Sequence, residues 1–109
     1  MPEIRYYASA EGHEPFAAWF AELDSTARAK VTRALVRLEQ GNFSNVKSVG
    51  EGVSEYRIDF GPGYRVYFGQ DGPTLVILLT GGTKKRQQRD ITAAHGYWQD
   101  YRQSKRRRQ

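Results

Sequence analysis

Arg57 and Arg65 are the residues of this chain best suited to chemistry on an anion. They share one stretch, YRIDFGPGYRVYF (residues 56–68), with Asp59 and Tyr67. Gly61-Pro62-Gly63 reads as a tight loop between two strands. With Phe60 opposite Tyr64, Asp59 faces Arg65 and Arg57 faces Tyr67, because register decides which side chains share a face. The arginines are then diagonal neighbours, close enough for their planar guanidinium forks to grip one phosphate. Like charges this close call for an anion between them. On the plainer reading, Asp59 and Tyr67 merely tie both arginines into a solvated sheet face. The opposite face takes Tyr56, Ile58, Phe60, Tyr64, Val66 and Phe68, which reads as core.

A second cationic group follows at Thr83-Lys84-Lys85-Arg86. Three cations at a helix start oppose the macrodipole, which favours acids there, and such local conflict is common at binding sites. Lys30, Arg33 and Arg37 form a further basic stripe, which reads first as an ordinary solvated helix surface. Arg106 and Arg107 belong to a C-terminal basic run that attracts polyanions. His13 falls in a loop and His95 on a helix, where a structural role is the simpler assignment. No His, Cys or acid cluster has metal-ligand spacing, and GPG and GG read as turns rather than a phosphate loop. The expected chemistry therefore needs no metal and no cofactor. One reaction suits Arg, Lys, Tyr and Asp: attack of an RNA 2′-hydroxyl on its own phosphodiester. Arg57 and Arg65 would stabilise the phosphorane, Asp59 or a lysine such as Lys84 would take the proton, and Tyr67 or a cation would assist the leaving oxygen.

The charge balance supports a polyanionic partner, though less than the net +5 suggests. Residues 102–109 carry Arg102, Lys105, Arg106, Arg107 and Arg108 without an acid, and the remainder is neutral overall. That remainder is polarised. Residues 1–24 hold Glu3, Glu11, Glu14, Glu22 and Asp24 against Arg5, whereas residues 57–89 hold Arg57, Arg65, Lys84, Lys85, Arg86 and Arg89 against Asp59 and Asp71. Nucleic acid or an acidic protein segment is the expected partner. The absence of cysteine among 109 residues fits a cytoplasmic setting. No apolar run is long enough for a bilayer, and residues 1–15 lack the pattern of a secretory signal.

The elements that must hold these residues follow from periodicity. Ile4–Tyr7 reads as a strand. Pro15 opens a helix carrying Phe16, Trp19, Phe20 and Leu23, and Asp24 caps a second with Ala27, Val31, Ala34, Leu35 and Leu38. Phe43–Gly52 reads as a loop. Strands are expected over Val53–Phe60, Tyr64–Gly69 and Thr74–Thr80, with Asp71-Gly72 as a hairpin turn and Gly81-Gly82 ending the last. A final helix is expected from Lys85 to Tyr101, with Ile91, Ala94, Trp98 and Tyr101 on one face. The outcome is an α+β domain over residues 1–101, ordered β-α-α-β-β-β-α, with residues 102–109 as a flexible basic tail.

The segments VSEYRIDFGPGYRVYFGQDG and LVILLTGGTKKRQQRDI, with the IRYY strand before them, closely resemble the RelE/ParE superfamily of type II toxin–antitoxin toxins. The similarity is to the phage Gp49-like or HigB-like addiction-module killer branch. It implies two N-terminal helices packed on a curved, mostly antiparallel four-stranded sheet, with a C-terminal helix. It also implies a metal-independent endoribonuclease that cuts mRNA on the translating ribosome and inhibits translation. The implied partners are ribosome, mRNA and a cognate antitoxin, a small helix-turn-helix protein forming a toxin–antitoxin hetero-oligomer, with no membrane involved. Arg65 matches a basic residue implicated in catalysis in that family. Arg57 matches a recurrent strand arginine, and Lys84 to Arg86 match the basic segment after the last strand. Lys84, Lys85, Arg86, Arg89, Arg106 and Arg107 are the expected RNA contacts. The chain departs from the family pattern near the C-terminal helix, where it offers Asp90, Ile91 and His95. ParE-type members of the same fold poison DNA gyrase without cutting RNA, and a non-catalytic RNA-binding module would use the same basic face.

Overall fold

A computed structural model describes residues 2–107. Strand β1 (Glu3–Tyr6) leads to helices α1 (Pro15–Ala21) and α2 (Ser25–Glu39). Strands β2 (Val46–Ser48), β3 (Val53–Ile58), β4 (Tyr64–Gln70) and β5 (Leu75–Thr83) follow, then helix α3 (Gln87–Arg107). The sheet has five strands in the order β1-β5-β4-β3-β2, and only the β1–β5 pair is parallel. Four strands were expected. The additional one, β2, is three residues long and hidden in the polar stretch 43–52, where so short an edge strand leaves no alternation to read.

Local signals fixed the helical hairpin. Pro15 occupies the first turn of α1, where its missing N–H is not needed. The Asp24 carboxylate accepts a hydrogen bond from the Ala27 amide at 2.8 Å and so caps α2. Phe16, Val31, Ala34 and Leu38 then pack with Tyr56, Ile58, Val66, Phe68, Val76 and Leu78 into the core on one sheet face. Phe60 is absent from this core. It lies beyond β3, is 37% exposed, and carries the Lys30 ammonium 4.8 Å from its ring centre.

The other sheet face is also covered. Ala94 and Trp98 of α3 pack with Val53, Tyr67, Ile77 and Leu79 as a second core, so β5 is buried on both faces as its apolar run implies. The arginine-bearing face is therefore roofed by α3 over part of its length.

Gly81 and Gly82 do not end β5, which continues through them to Thr83. Glycine is needed there for close approach. A Cβ on Gly81 would collide with the Trp19 ring on one face, and a Cβ on Gly82 would collide with the Asp90 carboxylate on the other. Lys84–Arg86 form a single 3-10 turn, and α3 starts at Gln87 rather than Lys85. It runs on to Arg107, so residues 102–107 are helical and not the expected flexible tail; residues 108–109 lie outside the described residues. Asp71, bonded by Tyr101 and Lys105, ties this last stretch to the β4–β5 hairpin. No helix among the described residues is long and apolar enough to cross a membrane.

Candidate active site

The register of β3 and β4 differs by two residues from the expected one. Ile58, not Phe60, pairs with Tyr64, because residues 59–63 all belong to the connection, in which Gly61 and Gly63 take positive φ. Side-chain parity is unchanged, so the apolar set still faces α1 and α2. The cross-strand partners do change. Arg57 stands directly opposite Arg65, and Tyr67 stands opposite Glu55. Asp59 does not face Arg65: it is exposed, past the end of β3, beside Lys30, Arg33 and Arg37.

The anion that two facing arginines call for is supplied by the chain itself. Glu55, fully buried, accepts 2.9 Å from Arg57 Nε through Oε1 and 2.8 Å from Gln87 Nε2 through Oε2. Arg65 Nε lies 3.8 Å from Oε2, within ion-pair range but too far for a hydrogen bond. Burial pushes the Glu55 carboxyl up, but the hydrogen bonds from Arg57 and Gln87 and the field of Arg65 outweigh it and hold the group below the usual glutamate range. Glu55 is not among the residues expected from sequence, although alternation along the strand marks it. It lies two residues before Arg57 and so must share its face.

The two arginines differ in access. The side chain of Arg57 is 46% exposed and that of Arg65 only 8%. Among the described residues, Arg65 Nε and Asp90 Oδ2 are buried side-chain polar atoms without a hydrogen bond, and the buried Tyr67 hydroxyl interacts with the Glu55 carboxylate. All belong to one neighbourhood. Tyr67 is two residues from Arg65 on the same face of β4, and Asp90 lies over Gly82, the residue paired with Arg65. Each unmet group costs on the order of 1–3 kcal/mol, so their concentration in one place wants a functional reason.

Two of these groups have shifted acidities. Burial, with the nearby Glu55 charge, pushes the Tyr67 phenol far up, so it stays protonated and does not serve as a base. Burial also raises the Asp90 carboxyl above the usual aspartate range, against the opposing pull of Arg89 and Arg86. His95 is committed elsewhere, with Nε2 3.0 Å from the Val49 carbonyl oxygen. Asp90 is thus the acid–base candidate at this end of α3.

β5 delivers the cationic turn to the same end of the sheet. Thr83 pairs with Tyr64, and the Lys84 amide donates to the Gly63 carbonyl at 2.9 Å, which seats the turn on the β3–β4 connection. Lys84, Lys85, Arg86 and Arg89 are exposed there. Arg106 and Arg107 are not part of this group. At 1.5 Å per residue they lie roughly 30 Å along α3 from its start.

The profile of the phage-derived Gp49-like protein family matches residues 18–95, and the chain belongs to that family, one associated with toxin–antitoxin toxins. The matched span runs from α1 to the middle of α3 and includes Glu55, Arg57, Arg65, the cationic turn and Asp90. A similar protein, an uncharacterized one from Haemophilus influenzae (strain ATCC 51907 / DSM 11121 / KW20 / Rd), is 46% identical over 80 residues. That alignment covers 72% of this chain and 81% of the relative.

Proposed function

We propose that this protein is the toxin of a type II toxin–antitoxin pair and acts as a metal-independent endoribonuclease on mRNA in the translating ribosome. The observation that carries the reading is Arg65: a nearly buried guanidinium, 3.8 Å from its counter-ion, with Nε unbonded, beside the Lys84–Arg86 turn. A preorganised, under-bonded cation in a partly dry site is what a phosphorane with growing negative charge requires.

In the reaction, the 2′-oxygen attacks phosphorus while the P–O5′ bond breaks, leaving a 2′,3′-cyclic phosphate and a 5′-hydroxyl. Arg65 and the more exposed Arg57 neutralise the equatorial oxygens. Glu55 touches no substrate and acts as a positioning residue that holds both guanidinium groups. Asp90, whose pKa burial raises, takes the proton from the 2′-hydroxyl and passes it to the leaving 5′ oxygen, and Lys84 adds positive charge at the rim. Lys85, Arg86 and Arg89 hold the message and ribosomal RNA through phosphate contacts. A cognate antitoxin would neutralise the toxin by covering this end of the sheet. The test in cells is the order of failure on induction: protein synthesis halting before DNA replication supports the reading, and the reverse order removes it.

One observation favours a second reading. Glu55 already fills the anion position between the arginines, and Tyr67 is fully buried. A ParE-like gyrase poison, which needs a binding surface and no acid–base pair, is compatible with that. It predicts trapped cleavage complexes on supercoiled DNA in the presence of gyrase.

A further inference from the structure

The charged stripe on α2 is not an isolated solvated surface. Lys30, Arg33 and Arg37 line a cleft of about 280 Å³ with Arg57, Asp59 and Phe60, on the opposite side of the sheet from α3. Among the described residues, none of the three α2 cations forms an ion pair, and Asp59 is the acid on the cleft wall. Lys30 and Arg37 are about 10 Å apart along the helix, the reach of successive phosphates rather than of a single ion. Phe60 presents an exposed aromatic ring at the rim, with the Lys30 ammonium 4.8 Å from its centre. Cations that track a backbone beside an aromatic platform are how single-stranded nucleic acid is held without sequence readout.

Arg57 connects this cleft to the site under α3. Arg57 lies just past the β2 pairing, with its amide donating to the Asn45 carbonyl at 3.2 Å and its side chain 46% exposed. Its side chain bonds Glu55 on one side of the sheet, and the same residue forms part of the cleft wall on the other.

Resting on the nuclease reading of the Arg57–Arg65 end, we infer that the α2 cleft is a second subsite for single-stranded RNA. It holds the strand flanking the reacting phosphodiester, with Lys30, Arg33 and Arg37 on phosphates and Phe60 stacked on a base. Arg57 is the hinge between the two subsites.

The test measures binding of the full-length protein to a short single-stranded 2′-O-methyl oligoribonucleotide, which cannot react, across a salt series. Arg33→Ala/Arg37→Ala is expected to weaken binding at least about tenfold and to lower the slope of log K against log salt by about 1.4, from ~0.7 per lost phosphate contact. Phe60→Ala is expected to weaken binding at least about fivefold, the lower end of base stacking, with the salt slope unchanged. Arg33 and Arg37 are exposed on α2, so circular dichroism should show both variants folded. Unchanged affinity and slope in folded variants would overturn the inference. So would intact RNA binding with loss of the antitoxin complex, which would assign the cleft to an acidic protein segment. Weakened binding in the variants, with a wild type that never cuts message, would uphold the subsite and remove the nuclease reading instead.

Discussion

Arg57 and Arg65 face each other directly across β3 and β4, and the side chain that reconciles them is Glu55. The carboxylate is shared unequally. It is hydrogen-bonded to the exposed arginine at 2.9 Å and only ion-paired to the buried one at 3.8 Å. Arg65 is thereby held in place without being saturated.

This asymmetry separates the two halves of the pair by mutation. Arg65→Ala leaves Glu55 with its bonds from Arg57 and Gln87, so the loss of stability should stay near ~1–2 kcal/mol while cleavage falls by about 10²–10³. Glu55→Ala leaves two facing cations and no anion. Its cost should approach the lower end of the ~3–5 kcal/mol seen for broken buried pairs, since Arg57 is half exposed. Urea midpoints of the two variants decide this; equal midpoints would contradict the assignment of Glu55.

Gly82 and Gly96 should respond to alanine in opposite directions. A Cβ on Gly82 meets the Asp90 carboxylate, so Gly82→Ala should push α3 from the sheet, costing on the order of 1–3 kcal/mol and most of the activity. Gly96 lies inside α3 with open space around it, and Gly96→Ala should stabilise by about 0.5–1 kcal/mol. Thermal melts of both variants check this.

Asp90 and Glu55 titrate in opposite senses. The raised pKa of Asp90 means that it favours the fold when protonated, and that this contribution is lost as pH rises through its folded-state value. Asp90→Asn should therefore raise the urea midpoint at pH 7, and the gain should vanish below the ordinary aspartate value of about 3.9. Glu55 behaves conversely, stabilising above the usual glutamate range and losing that contribution as pH falls through its lowered value. If Asp90 carries the proton, Asp90→Asn should also slow cleavage and flatten its pH profile. A lower midpoint at pH 7 would show that the buried carboxylate has a partner.

Truncation after Tyr101 removes five bases of the C-terminal segment and the Lys105–Asp71 ion pair. An exposed pair contributes about 0–1 kcal/mol, so the melt should move little. Salt-dependent RNA affinity should drop with the lost charges, whereas cleavage once RNA is bound should not, because Arg106 and Arg107 are remote from Arg65. Complete loss of cleavage at saturating RNA would place the end of α3 in the site.

Much of this architecture is legible residue by residue. Pro15, the Asp24 cap, the Asp71-Gly72 turn and the apolar run of β5 each act locally, and each is where its chemistry puts it. What was hidden is non-local. The β3–β4 register slipped by two because nothing in Asp59–Gly63 reveals how many residues the connection uses, although parity survived the slip. Gly81 and Gly82 look like a strand end until Trp19 and Asp90 are seen pressing on them from either side. Glu55 shares a face with Arg57 by simple alternation, but only the packing of α3 shows it to be buried, and burial changes it from a surface carboxylate into the anchor of the site.

The most direct measurement is in vitro translation of a defined message with the purified protein, mapping RNA ends by primer extension and identifying their chemistry. Discrete cuts bearing 5′-hydroxyl and 2′,3′-cyclic phosphate ends are expected, only in actively translated message, and none with folded Arg65→Ala. Intact message with translation proceeding normally, or cuts undiminished in Arg65→Ala, would contradict the nuclease reading.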